Sequence, residues 1–179
     1  MCIRDRIIGD PNPDFTFGIN NTFTYKNFDL NVFFQGAVGG DIFNLTAVQL
    51  YNGDSNAVTE LLNSWTPQNT DTDIPRAAIR GRERSTRFVE DGSYARLKNI
   101  ALGYSLPDNL MRNIGFSSAR LSISAQNILT LTNYSGPDPE VSFFGSGGES
   151  RGDDNAIIGH DFGNYPNVQS LTFGLNLRF

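Results

Sequence analysis

The stretch Ser170-Leu171-Thr172-Phe173-Gly174-Leu175-Asn176-Leu177-Arg178-Phe179 alternates without a break. Leu171, Phe173, Leu175, Leu177 and Phe179 fall on one side; Ser170, Thr172, Gly174, Asn176 and Arg178 fall on the other. A period of two belongs to an extended strand with two chemically different faces. The pattern recurs upstream. Phe15, Phe17, Ile19, Phe23 and Tyr25 (Asn21 excepted) alternate with Thr16, Gly18, Asn20, Thr22 and Thr24. Lys26-Asn27 then reads as a tight reversal. Phe28, Leu30, Val32 and Phe34 follow, set against Asp29, Asn31 and Gln35, with Phe33 out of pattern. Two long strands joined this closely predict a hairpin. A third strand is expected from about Phe88 to Leu106, with Ile100, Leu102, Tyr104 and Leu106 on its apolar face. A fourth is expected from about Ala119 to Leu129, with Leu121, Ile123 and Ala125 together.

The connectors alternate in length. Lys26-Asn27 and Pro107–Ser117 are short; the breaks from about Gly39 to Thr86 and from about Thr132 to Val168 are long. Within the first long break, Ala47–Trp65 can hold a short helix with Leu50, Leu61 and Leu62 as its apolar contacts. Trp65–Arg76 reads as irregular loop. Successive connectors of an antiparallel meander lie at opposite ends. All short ones therefore share one end and all long ones the other, as in outer-membrane barrels. A strand of about 11 residues, tilted by about 45°, spans roughly 25 Å, the height of the apolar band of such a barrel.

The alternation alone fits two architectures. In a soluble sandwich the apolar face points into the core; in a barrel wall it meets lipid while the polar face lines the lumen. Strand length, the segregation of the loops and aromatics near strand ends (Tyr25, Phe28, Tyr104, Tyr134, Phe179) favour the wall. The expected fold is all-β: an antiparallel meander of about five long strands with two long extracellular loops.

Composition narrows the classes further. The 179 residues include 14 Phe and 18 Gly, with only 18% charged side chains and a net charge of −5. No basic run is present to track phosphates, so nucleic-acid binding is not expected. With one cysteine, Cys2, and one histidine, His160, no internal disulfide and no Cys/His metal cluster can form. No run approaches the roughly 18 apolar residues of a membrane helix. Met1–Arg6 carries no signal-peptide pattern and fits nothing downstream. Residues 1–6 are therefore expected to be a non-native scar, and 7–179 to be a fragment of a longer barrel.

Several ordered motifs resemble the SusC/RagA family of TonB-dependent outer-membrane transporters. They are Gly9-Asp10-Pro11-Asn12-Pro13-Asp14-Phe15, Asn27-Phe28-Asp29-Leu30, Phe34-Gln35-Gly36, Gly39-Gly40-Asp41-Ile42-Phe43-Asn44, Trp65-Thr66-Pro67 and Thr72-Asp73-Ile74-Pro75-Arg76. The strongest is Phe88-Val89-Glu90-Asp91-Gly92-Ser93-Tyr94 running into Arg96-Leu97-Lys98-Asn99-Ile100 and Leu102-Gly103-Tyr104. Gln126-Asn127-Ile128-Leu129-Thr130, Gly136-Pro137-Asp138-Pro139-Glu140-Val141 and Tyr165-Pro166 fit the same pattern. The resemblance covers nearly everything after Arg6. It implies the C-terminal part of a 22-stranded barrel whose N-terminal plug and TonB box lie outside this chain. It also implies TonB and a SusD-like surface lipoprotein as partners, and oligosaccharides or peptides as cargo.

Other motifs carry less. Gly148-Glu149-Ser150-Arg151-Gly152 spells a nucleophile elbow, but no strand precedes it and His160 is the sole base available. Arg151-Gly152-Asp153 reads as chance. Asp153, Asp154 and Asp161 can offer carboxylates to Ca²⁺, though solvated loop acids are the plainer reading. Asn44-Leu45-Thr46 and Asn133-Tyr134-Ser135 are glycosylation sequons without meaning in a bacterial outer membrane. No cofactor and no catalysis are expected. Loop aromatics Tyr51, Trp65, Phe143, Phe144 and Tyr165 are candidates to stack on cargo or touch a partner, against the plainer role of pinning loops together. The competing function is a soluble, secreted carbohydrate-binding β-module.

Phe173, Leu175, Leu177 and Phe179 resemble the signal read during outer-membrane barrel assembly. Deleting Phe179 from the full-length protein is expected to lower its outer-membrane level; unchanged levels in fractionated cells would count against that role.

Overall fold

The computed structural model describes residues 7–51, 57–76, 85–113, 115–141 and 158–179. The chain divides into two compact units. One holds Asp14–Val38, Ser93–Asn133 and Pro166–Phe179; the other holds the chain up to Pro13, Gly39–Gly92 and Tyr134–Tyr165.

The first unit is a five-stranded sheet in the order β1 (Phe15–Tyr25), β2 (Phe28–Val38), β5 (Tyr94–Ser105), β6 (Ser118–Thr132) and β8 (Ser170–Arg178). Every neighbouring pair is antiparallel, so the long strands form the expected meander. Tyr25 pairs with Phe28 around Lys26-Asn27, and Lys26 takes a left-handed φ of 54° to close that turn. The Asn27 side chain donates to the Ser105 carbonyl at 2.7 Å, and Ser105 N–H donates back to the Asn27 carbonyl at 2.9 Å. The turn is thereby tied to the end of β5. The connector between β5 and β6 contains a short helix, α2 (Asp108–Asn113), whose Met111 is buried. Both long connections leave the sheet at the opposite end, where Phe15 pairs with Val38 and Tyr94 with Thr132.

The ladder is interrupted once across its middle. Phe33 and Phe34 pair with Asn99 and Leu97, so Lys98 is an extra residue on β5. On β6 the same break coincides with Asn127 at φ 54°, the conformation Asn tolerates better than most residues. Phe33 faces the polar side and packs over Gly18.

The second unit holds a three-stranded sheet, β4–β3–β7, built from Val89–Asp91, Asp41–Asn44 and His160–Asp161. β3 pairs antiparallel with β4 and parallel with β7. The expected long third strand is thus split at Gly92-Ser93 into β4 and β5. Helix α1 (Leu45–Leu50) follows β3, and a 3₁₀ turn covers Thr59–Asn63. Leu62, expected as an apolar contact of a helix, is instead 90% exposed. No helix among the described residues is long and apolar enough to cross a membrane.

Two glycines of the sheet separate packing from tolerance. A Cβ on Gly36 would strike the Tyr94 carbonyl and the Phe17 ring, which lies over it. A Cβ on Gly103 would meet only the tips of Asp29 and Arg120, which form a 2.7 Å ion pair above it. Backbone cannot step aside as a flexible tip can. Gly36→Ala should therefore destabilise by about 1–3 kcal/mol, and Gly103→Ala by less than about 1 kcal/mol, since a half-exposed pair contributes little. Denaturant unfolding of the two variants in detergent should rank them this way; the reverse order would contradict the packing.

Candidate functional site

The sheet has one greasy and one wet side, set by the register. Tyr25, Phe28, Tyr104 and Leu121 form one cross-strand row, and Phe23, Leu30, Leu102, Ile123 and Phe173 form the next. These are the apolar positions anticipated from the alternation. They are uncovered: Leu171, Phe173 and Leu175 expose 60%, 72% and 63% of their surface. A sandwich would seal such side chains between layers, as the soluble alternative requires. An open apolar area of this breadth in water marks a contact surface or an aggregation hazard. At the short-turn end the greasy side closes on aromatic rings: Phe28 and Tyr104 stack at 4.4 Å between centroids, and Phe116 lies 5.0 Å from Phe179.

The opposite side carries Thr16, Asn20, Thr22, Asn31, Asn99, Ser122, Ser124, Gln126 and Thr172, all small or neutral and polar. Asn31 donates to Asn20 Oδ1 at 2.8 Å and to Thr22 Oγ1 at 3.0 Å. Charge appears near the short turns as the Asp29–Arg120 pair and, toward the long loops, as Arg96, which is buried with its guanidinium 5.7 Å from the Tyr94 ring.

In the loop unit two carboxylates tie distant segments together. Glu90 accepts from Asn44 Nδ2 at 3.0 Å and from the N–H and Oγ of Ser135, both at 2.8 Å. Asn44 Oδ1 also caps α1 by accepting from Ala47 N–H at 2.8 Å. Asp161, fully buried, accepts from the Tyr134 hydroxyl at 2.5 Å and from Asn164 N–H at 3.3 Å. Thr46 Oγ1 accepts from Gly163 N–H at 2.7 Å. Burial pushes the Tyr134 phenol far above its usual range, and the hydrogen bond to Asp161 and the negative charges of Asp161 and Glu90 push the same way. Asp10, in the N-terminal stretch, moves down, because Asn12 donates to its carboxylate from backbone and side chain.

Tyr134 is therefore no girdle aromatic: only 6% of it is exposed, and it belongs to the loop unit. The two sequons do other work, since Asn44, Thr46 and Ser135 all enter these networks. The sequence reading has Asn44 only as part of a motif and a sequon; the local signal for its capping role is an Asn directly before a helical turn. The partnerships of Glu90 and Asp161 span tens of residues and left no local mark.

The loop aromatics do not converge. Tyr51 sits between Phe88, 5.9 Å away, and the Arg87 guanidinium, 5.5 Å over its ring, which is the pinning role. Arg87 in turn donates to the Asp73 carbonyl at 2.7 Å. Trp65 is partly exposed on a loop wound around Asn69, whose side chain donates to Asn63 Oδ1 at 2.9 Å. Tyr165 stands 87% exposed. Among the described residues no ring contact joins these three. Phe143, Phe144, the Gly148–Gly152 motif, Asp153, Asp154 and Met1–Arg6 lie outside the described residues. His160 stacks edge-on against Phe43 at 5.6 Å. A cavity of about 190 Å³ beside them is lined by Ile8, Pro11, Val89 and Ile158. No group of three or more metal-binding side chains occurs among the described residues.

No protein-family model matches the chain. Over 174 residues it is 48% identical to TonB-dependent receptor P3 of Formosa agariphila, an alignment covering 97% of this chain and 17% of that receptor. TonB-dependent receptor SusC of Bacteroides thetaiotaomicron is 26% identical over 174 residues, covering 94% of this chain and 15% of SusC. In structure the chain matches the RagAB peptide importer in its open-open state, with a TM-score of 0.77 and 30% identity over 97% of this chain and 18% of that one. The chain thus spans less than a fifth of the length of these relatives.

Tyr134→Phe in the full-length protein keeps the ring and removes the donor to Asp161, a loss of about 1–3 kcal/mol. Amide exchange should quicken across 134–138 and 160–164 while β5 and β6 stay protected. The pH dependence has a definite sign. Because the phenol is raised in the folded state, what it contributes is intact below its unfolded value of about 10 and is lost as pH climbs above that toward the folded value. Limited proteolysis of the wild type should show an alkaline loosening of these loops that Tyr134→Phe lacks; identical profiles would mean that the pair holds nothing.

Proposed function

We propose, from the premise that the chain belongs with the TonB-dependent receptors of the SusC/RagA type, that it is a stretch of barrel wall in an outer-membrane importer. The observation that carries this reading is the uncovered apolar side of the sheet, with Leu171, Phe173 and Leu175 all mostly exposed. Hydrocarbon is the solvent in which such a surface costs nothing, and the inter-strand ladder pairs the backbone of the inner strands on both sides apart from the break at Lys98 and Asn127. The neutral polar side then borders a wet interior, and the long connections lie outside the cell.

The cargo is an oligosaccharide or a peptide, taken up with a SusD-like surface lipoprotein and energised by TonB acting on parts of the receptor outside this chain. Relatives named TonB-dependent receptor and peptide importer support that assignment. Trp65 and Tyr165 are assigned to contact with cargo or lipoprotein, an assignment supported by their exposure on the loop unit. Tyr51 is assigned to loop bracing. β8, an edge of the sheet with an exposed row of Phe173, Leu175 and Leu177, is assigned together with Phe179 to the strand engaged during barrel assembly.

Adjacent residues of β8 give a direct test. In an otherwise cysteine-free receptor, a spin label at Phe173→Cys should collide with oxygen dissolved in lipid, and one at Thr172→Cys with a water-soluble nickel chelate. Water-like accessibility at both positions would defeat the wall reading. Deleting the lipoprotein gene should reduce cargo uptake at unchanged receptor levels.

A further inference from the structure

The short-turn end of the greasy side is more than an aromatic border. Tyr25, Phe28 and Tyr104 lie in one row across β1, β2 and β5, and Tyr25 is 70% exposed. The Lys26 ammonium lies 5.4 Å above the Tyr25 ring, at the margin of the same face. No carboxylate among the described residues pairs with it. The nearest acid along the hairpin, Asp29, lines a cavity together with Lys26 but is engaged by Arg120 at 2.7 Å. The cation is also held in place: the left-handed Lys26 backbone and the paired hydrogen bonds between Asn27 and Ser105 fix the turn against β5.

We propose that Lys26, Tyr25 and the Phe28–Tyr104 stack form a binding site for one phospholipid, with Lys26 taking the headgroup phosphate and the ring row taking the first carbons of the acyl chains. This rests on the wall reading above, which puts these side chains at the periplasmic boundary of the bilayer. The chemistry follows from the arrangement. An unpaired ammonium at the edge of a hydrocarbon-facing surface seeks an anion at headgroup depth, and a long Lys stem reaches it while lying on apolar surface. Rings at that depth prefer the boundary to either phase. A free phosphate would meet the charge alone; a phospholipid meets charge and rings together.

Native mass spectrometry of the full-length receptor in detergent, titrated with phosphatidylglycerol, tests the site. Lys26→Asn removes the charge while supplying a residue that accepts the left-handed turn. Retention of the tightest lipid should fall about fivefold, as expected for losing one interfacial cation, and Lys26→Arg should restore it. Diacylglycerol, which lacks the phosphate, should bind wild type and Lys26→Asn alike. Equal phosphatidylglycerol retention by both proteins overturns the proposal, as does full competition by millimolar inorganic phosphate, which would mark an ion site only. Failure of the wall reading looks different: the Phe173→Cys label would then read as water-exposed and no lipid would be retained by any variant.

Discussion

Inter-strand hydrogen bonding is the constraint from which the rest follows. A sheet can present Phe and Leu to hydrocarbon only if its backbone N–H and C=O groups are already paired, because lipid offers them nothing. The antiparallel ladder from β1 to β8 does this for the inner strands except at the break beside Lys98 and Asn127. It leaves one side of β1 and one side of β8 without a neighbour among the described strands. Those edges demand further strands, which is why the wall reads as part of a closed cylinder.

The loop unit obeys a different physics. Its buried positions include Ile42, Phe43 and Val48, but also Asn44, Ser64, Asp138 and Asp161. Polar side chains join the segments: Glu90 holds Asn44 and Ser135, and Asp161 holds Tyr134. Such networks are directional and unforgiving, because a lost partner leaves a buried acceptor unsatisfied. They suit loops that must keep a defined surface without a thick apolar core.

The long strands were legible because a period of two survives over nine to fifteen residues. The break at Lys98 and Asn127 was not, since an extra residue changes pairing without changing composition. Phe33 looked like an error in the pattern; the structure gives it Gly18 as a seat on the polar side. The small sheet was hidden for a simpler reason: strands of two to four residues have no period to read. Tyr134 was misplaced because an aromatic at the end of a strand looks the same whether lipid or an aspartate receives it. Tyr51, Trp65 and Tyr165 were recognisable as loop aromatics, but which one is pinned depends on Arg87 and Phe88, more than thirty residues from Tyr51.

The glycine beneath the Phe17 ring has a consequence for strand alignment. An alternating pattern forbids a slip by one residue, which would turn every side chain over, yet it is nearly indifferent to a slip by two. Sliding β2 by two would put Phe34 or Val38 where Gly36 now lies, and a Cβ there would strike the Tyr94 carbonyl of β5 and the Phe17 ring of β1. The ring and its gap therefore discriminate between alignments that hydrophobicity scores as equal, and a missing side chain becomes the mark by which three strands find their common offset.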